Sequence, residues 1–208
     1  MDRRAHWENV YRTRLPQEVS WYRAHLDTSL ELIDALAPDR GARLIDVGAG
    51  ASTLVDDLLA RGYRDMTVLD LAPNALDIAK ARLGADAAMV DWRSGNATSL
   101  ALPARAYDLW HDRAVFHFLT QPADRAAYVR QVLHAVKPGG HLVVATFAPD
   151  GPPRCSGLDV VRYDPDALHD ALGGAGFVRE RELAVAHRTP AGTLQPFTYC
   201  AFRVASAP

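Results

Sequence analysis

The chain has 208 residues, of which 49% are apolar, and its 23 Lys and Arg against 25 Asp and Glu leave a formal net charge of −2. That length is enough for one substantial core, and the near-balance of charge removes the electrostatic case for a nucleic-acid partner. No apolar run nears the ~20 residues that cross a bilayer, and the charged start Met1-Asp2-Arg3-Arg4-Ala5-His6-Trp7 is followed by no apolar stretch of a secretory signal.

The first forty residues carry Trp7, Tyr11, Trp21 and Tyr22 on expected helices, and Thr28 with Glu31 reads as a capping box. Residues 44–47 form a short apolar strand. A helix follows over 52–60, with Ser52 as its N-cap and Gly62 as its stop. A second strand spans 66–69, and Pro73 opens a helix that Gly84 closes. Strands are expected at 87–92 and 107–111. A helix then runs from 122 to 136 and ends at the turn Lys137-Pro138-Gly139-Gly140. Residues 141–147 are a β-branched strand. A helix begins at Asp164-Pro165, and 177–187 with 197–204 form an antiparallel hairpin. The alternation predicts an α/β fold: a doubly wound, seven-stranded, mostly parallel sheet with an antiparallel C-terminal hairpin. The expected organisation is one domain, 1–40 as a helical extension or lid and 41–208 as the catalytic core. Cys155 and Cys200 make neither a disulfide framework nor a metal-spaced pair, so no metal is expected and the cytoplasm is the expected compartment.

The first βα turn reads Asp46-Val47-Gly48-Ala49-Gly50-Ala51-Ser52. Its glycines let the backbone approach a ligand closely, at the sheet edge where open α/β folds bind nucleotides. Thr53 stands where a dinucleotide fingerprint wants a third glycine, and Asp46 is a poor neighbour for a pyrophosphate. An acid there suits a cationic ligand, and S-adenosylmethionine carries a sulfonium and an ammonium without phosphate. The alternative is an ordinary turn with a helix-capping Asp. Asp70 ends the second strand twenty residues after Gly50, the spacing at which a carboxylate takes ribose hydroxyls. Leu71 follows and could lie against adenine. The alternative for Asp70 is a cap for the helix at Pro73.

With these motifs the chain resembles the class I methyltransferase family over residues 40 to 205. The resemblance implies that Asp46, Gly48 and Gly50 lie under the methionine part of S-adenosylmethionine and that Asp70 holds the ribose. Gly95-Asn96-Ala97 is similar to the family segment at the adenine. Asn96 replaces the usual Asp there, and its amide oxygen can accept the same bond or serve an Asx turn. Tyr11 and Trp21 resemble the aromatic pieces that such enzymes fold over the cofactor; the alternative is that they pack helices onto the sheet.

The fourth strand ends near His111-Asp112-Arg113, with His117 just beyond, where the resemblance places the transferring methyl. His111 or His117 would act as a base, Asp112 would orient a histidine or a cationic acceptor, and Arg113 would anchor an acidic acceptor. The alternative is a structural Asp112–Arg113 salt bridge with one histidine capping a helix. The expected activity is methyl transfer to a small thiol, amine, hydroxyl or carboxyl compound, releasing S-adenosylhomocysteine. Protein lysine methylation is the rival, a non-catalytic nucleotide-binding protein is a further one, and a nucleotide-dependent oxidoreductase is disfavoured by Asp46 and Thr53. No membrane or nucleic-acid partner is expected, and either a monomer or a homodimer is compatible with the sequence.

Overall fold

A computed structural model describes residues 2–205. Helix α1 (Arg3–Thr13) starts where Asp2 accepts from the amides of Arg4 and Ala5, and a short 3-10 turn leads to α2 (Asp27–Leu36). The core then alternates: β1 (Arg43–Val47), α3 (Leu54–Ala60), β2 (Asp65–Asp70), α4 (Pro73–Leu83), β3 (Val90–Ser94) and β4 (Tyr107–Arg113). Next come α5 (Pro122–Ala135), β5 (Val136–Phe147), the small ladder β6 (Arg154–Cys155) with β7 (Leu158–Asp159), and α6 (Pro165–Ala171). The long strands β8 (Phe177–Arg188) and β9 (Leu194–Val204) close the described chain. The main sheet has seven strands in the order β3-β2-β1-β4-β5-β9-β8, parallel except at β9 and β8. That is the doubly wound arrangement expected, hairpin included.

Each strand divides its residues between two apolar layers because successive side chains point to opposite faces. Leu30, Leu54, Leu58 and Leu109 pack on one face of the sheet, and Trp110, Tyr128, Val132 and Leu142 on the other. The strand order reverses between β1 and β4, which opens a crevice at their carboxyl ends. Helix α1 lies against α4 there, with the Asn74 side-chain amide donating to the Glu8 carbonyl at 2.8 Å.

Four local expectations are corrected. The capping box at Thr28 and Glu31 does not form. The N-cap position of α2 falls on buried Leu26, two residues earlier, without a side-chain cap. Thr53 takes the N-cap position of α3, although the Ser52 hydroxyl accepts from the Leu54 amide at 3.2 Å. The third strand begins at Val90 because Gly84–Met89 coils as a 3-10 turn. Lys137-Pro138-Gly139-Gly140 lies inside β5, where pairing with β4 shifts register between Tyr107 and Leu109. Such an irregularity accommodates both the proline and Gly139 at φ +79°.

Candidate functional site

The glycine turn after β1 supplies the floor of the crevice. Gly48 and Gly50 have φ of +61° and +57°, the left-handed region that glycine adopts freely. A Cβ on Gly48 would meet Val115 Cγ2 at 1.9 Å, and one on Gly50 would meet the Tyr11 hydroxyl at 2.1 Å. Gly48→Ala therefore combines a strained backbone with a clash against a branched side chain. We expect it to lower stability by about 1–3 kcal/mol, read from denaturant unfolding.

Asp70 ends β2 with its carboxylate folded back onto this turn. One oxygen accepts from the Gly50 amide at 2.7 Å and the other from the Ala72 amide at 2.8 Å. Ala72 is the N-cap residue of α4, so one buried carboxylate braces both the glycine loop and the following helix. Burial pushes the Asp70 carboxyl up to about 6, against the pull of those amides. Asp70 lines a cavity of about 150 Å³, together with Leu71, Gly95, Asn96, Ala97 and Thr98. Its opposite side is made by Trp7, Tyr11, Trp21 and Phe118, with Arg113 and Cys155. Asn96 fits its turn reading: its oxygen accepts from the Thr98 amide at 3.0 Å and the Thr98 hydroxyl at 2.9 Å. The side-chain oxygen expected to take an adenine amino group is thus engaged within its own loop.

Asp46 lies in an adjoining cavity of about 50 Å³, and Tyr11, Trp21, Gly48 and Arg113 line both spaces. His111 lines the smaller one and donates from Nδ1 to Asp46 at 2.7 Å. An ionised carboxylate only accepts, which places a ring proton on Nδ1, and Nε2 shares a hydrogen bond of 2.9 Å with the Ser29 hydroxyl. His111 and Ser29 are buried. Both imidazole nitrogens are committed, so His111 holds Asp46 in place rather than standing ready as the base expected from sequence.

The rest of the expected polar cluster separates by strand alternation. β4 continues through Arg113, so His111 and Arg113 point to the face bearing the cavities and Asp112 to the other. Asp112 is fully buried; it accepts from the amides of Val115 at 2.9 Å and Phe116 at 3.1 Å and from the Tyr128 hydroxyl at 2.7 Å. It lines neither cavity and forms no ion pair with Arg113 within 4 Å, so both the catalytic expectation and the salt-bridge alternative are corrected. His117 is fully buried as well, against Phe118 and Phe147. Burial, reinforced by the nearby Arg113 charge, pulls its imidazole down to about 3. Fully buried and lining neither cavity, His117 is not placed to act as the base expected from sequence.

Burial also pushes the Asp112 carboxyl up to about 6. Between about 4 and 6 the folded chain then holds a proton here that the unfolded chain, at the usual ~3.9, has released. Stability owed to this group is largest below that window and is lost as pH rises through about 6. The measurable outcome is a difference in slope: from pH 4 to 6, unfolding free energy should fall less steeply in Asp112→Asn than in the parent chain. Equal slopes would remove Asp112 from the titration.

Sequence reasoning missed Ser29, Val115 and Phe118. Ser29 reaches His111 across 82 residues of chain, a contact with no local signature. Val115 and Phe118 look like ordinary core residues. Trp7 was noted only as one aromatic among several, yet it packs edge-on against both Trp21 and Phe118.

A family model described as a methyltransferase domain matches residues 45–144. The chain is 31% identical over 120 residues to a ubiquinone/menaquinone biosynthesis C-methyltransferase of Ruegeria sp. (strain TM1040), covering 56% of this chain and 47% of that protein. It is 33% identical over 116 residues to a ubiquinone biosynthesis O-methyltransferase of Methylobacterium sp. (strain 4-46), covering 55% and 45%. The matched stretches thus span about half the length of those relatives. Among solved structures it resembles the 1,6-didemethyltoxoflavin-N1-methyltransferase of Burkholderia thailandensis, which was solved with its substrate and S-adenosylhomocysteine. That match has a TM-score of 0.68 and 22% identity, covering 87% of this chain and 78% of that one.

Proposed function

We propose that this chain, which matches a methyltransferase-domain family model over residues 45–144, is a class I S-adenosylmethionine-dependent methyltransferase that transfers a methyl group from S-adenosylmethionine to a small-molecule acceptor. The observation that carries this is Asp70, buried at the end of β2, tied to the Gly50 amide and facing the same cavity as residues 95–98. The residues present suit the cofactor. The glycine loop packs against Val115 and Tyr11, side chains that line the same cavity, with no room for a Cβ at Gly48 or Gly50. Asp70 keeps unused lone pairs for a pair of vicinal hydroxyls. Asp46, its orientation set by His111, offers a carboxylate to an ammonium. The bound cofactor supplies an electrophilic methyl on its sulfonium.

What remains for the protein is alignment and exclusion of water. Residues 2–40 serve as the roof: α1 packs against α4, and Trp7, Tyr11 and Trp21 line the crevice. A roofed cavity of this size favours a small acceptor over a peptide, and the C- and O-methyltransferase relatives and the toxoflavin enzyme are all named for small compounds. Two buried free thiols suit a cytoplasmic setting. No helix among the described residues is long and apolar enough to cross a membrane.

Calorimetry with S-adenosylmethionine, S-adenosylhomocysteine and NAD tests the cofactor assignment. Both sulfur nucleosides should bind and NAD should not; tighter binding of NAD would defeat it. A screen for S-adenosylhomocysteine release would then identify the acceptor.

A further inference from the structure

Arg113 stands at the junction of three spaces. It lines the cavity of Asp70, the cavity of Asp46, and a third between α2 and the β8–β9 hairpin, where Thr28, Val185, His187 and Tyr199 meet it. Its guanidinium is mostly covered. Nε donates to the Tyr199 hydroxyl at 3.0 Å, one terminal nitrogen donates to the Trp21 carbonyl at 3.1 Å, and the group lies over the Phe197 ring at 4.9 Å. All of these partners are neutral. Among the described residues no carboxylate lies within 4 Å of it, whereas Arg23, which shares two of these spaces, is paired with Asp27 at 3.1 Å. Asp46, the acid in the smaller cavity, is committed to His111.

The other carboxylates lining these spaces are engaged elsewhere, Asp27 with Arg23 and Asp70 with the Gly50 and Ala72 amides. Burial pushes the Cys155 thiol up to about 12 and raises the Tyr11 phenol further. Burial lowers the proton affinity of His187, with Arg113 and Arg23 adding to the effect, and its Nδ1 is buried without a partner. A largely desolvated guanidinium without a counter-ion is costly unless an anion completes it. The planar fork of arginine matches a carboxylate two-pronged. The sheet order separates this group from the Asp70 end: β2 and β3 lie on one side of β1, and β4 and β5 on the other. Around Arg113 the wall is aromatic, with Trp7, Trp21 and Phe118 offering apolar edges and faces.

We propose that Arg113 is the anchor for the methyl acceptor, and that the acceptor is a small carboxylate with an apolar or aromatic body. The inference rests on the methyl-transfer assignment and narrows its substrate class. The one competing source of the same chemistry is the α-carboxylate of the cofactor's own amino-acid tail.

The test uses the full chain saturated with S-adenosylhomocysteine, titrated with benzoate, phenylacetate and hexanoate and with their three amides. At least one acid should bind tenfold or more tightly than its amide. Arg113→Gln should abolish that preference, and Arg113→Lys should retain part of it. A second arm measures S-adenosylhomocysteine and methylthioadenosine, which lacks the amino-acid tail, on the parent chain and on Arg113→Gln. Both affinities should stay within threefold. If no acid outbinds its amide, or if only S-adenosylhomocysteine weakens by tenfold in Arg113→Gln, the acceptor anchor is overturned. Failure of the parent chain to bind S-adenosylhomocysteine would instead defeat the methyl-transfer assignment.

Discussion

Asp70→Ala should bind S-adenosylhomocysteine about ten- to a hundredfold more weakly than the parent chain, a loss of about 1.5–3 kcal/mol for a hydrogen-bonding anion. Two effects add. The oxygens proposed to take the sugar hydroxyls are gone, and the Gly50 and Ala72 amides lose their acceptor, so the glycine loop is no longer fixed in place. Asp70→Asn separates them. Its single oxygen still accepts one amide, while its NH2 opposes the other, so it should retain part of the loop geometry and little of the affinity. Calorimetry gives the affinities, and thermal unfolding of the same samples shows whether the loop damage reaches the fold. A folded Asp70→Ala chain with undiminished affinity would leave the carboxylate as a strut between β2 and α4 and nothing more. The raised Asp70 carboxyl adds a pH signature: affinity should weaken as pH falls through about 6, where the group takes up a proton, and Asp70→Asn should be flat over that range.

The mostly parallel sheet and its antiparallel end were legible because the signals are local. Short apolar runs alternate with capped helices, and Gly48, Gly50 and Asp70 sit at offsets that only a strand–turn–helix crevice uses. The polar cluster was harder. Ending the fourth strand at His111 left His111, Asp112, Arg113 and His117 as one undivided group, whereas two more residues of β4 sort them by alternation. His111 and Arg113 face the cavities, Asp112 turns to Tyr128, and His117 enters the core. Ser29 was invisible for a different reason. Its role depends on α2 docking on β4, a long-range contact that no window of sequence contains. The aromatic N-terminus had two readings, packing or roofing, and the geometry gives both to the same side chains. Trp7, Tyr11 and Trp21 pack on one another and also line the cavity.

Asp112→Ala should cost about 3 kcal/mol or more of unfolding free energy, the scale for stripping the acceptor from several buried donors at once. Two backbone amides and the Tyr128 hydroxyl would be left unpaired, and the loss would spread further because Tyr128 also accepts from Trp110 Nε1 at 2.9 Å. Tyr128→Phe should cost less, since it spares the two amides and preserves the ring that lines the cavity. In the double variant the losses should be less than additive, because the hydroxyl and the carboxylate serve each other; a double-mutant cycle on denaturant unfolding reads that coupling. The affinity of folded Asp112→Ala for S-adenosylhomocysteine should stay within threefold of the parent, as the carboxylate lines neither cavity. A chain that kept its stability and lost its turnover would return Asp112 to the reacting centre. The alternation of β4 would then no longer separate the groups that touch ligand from those that hold the strand end in place.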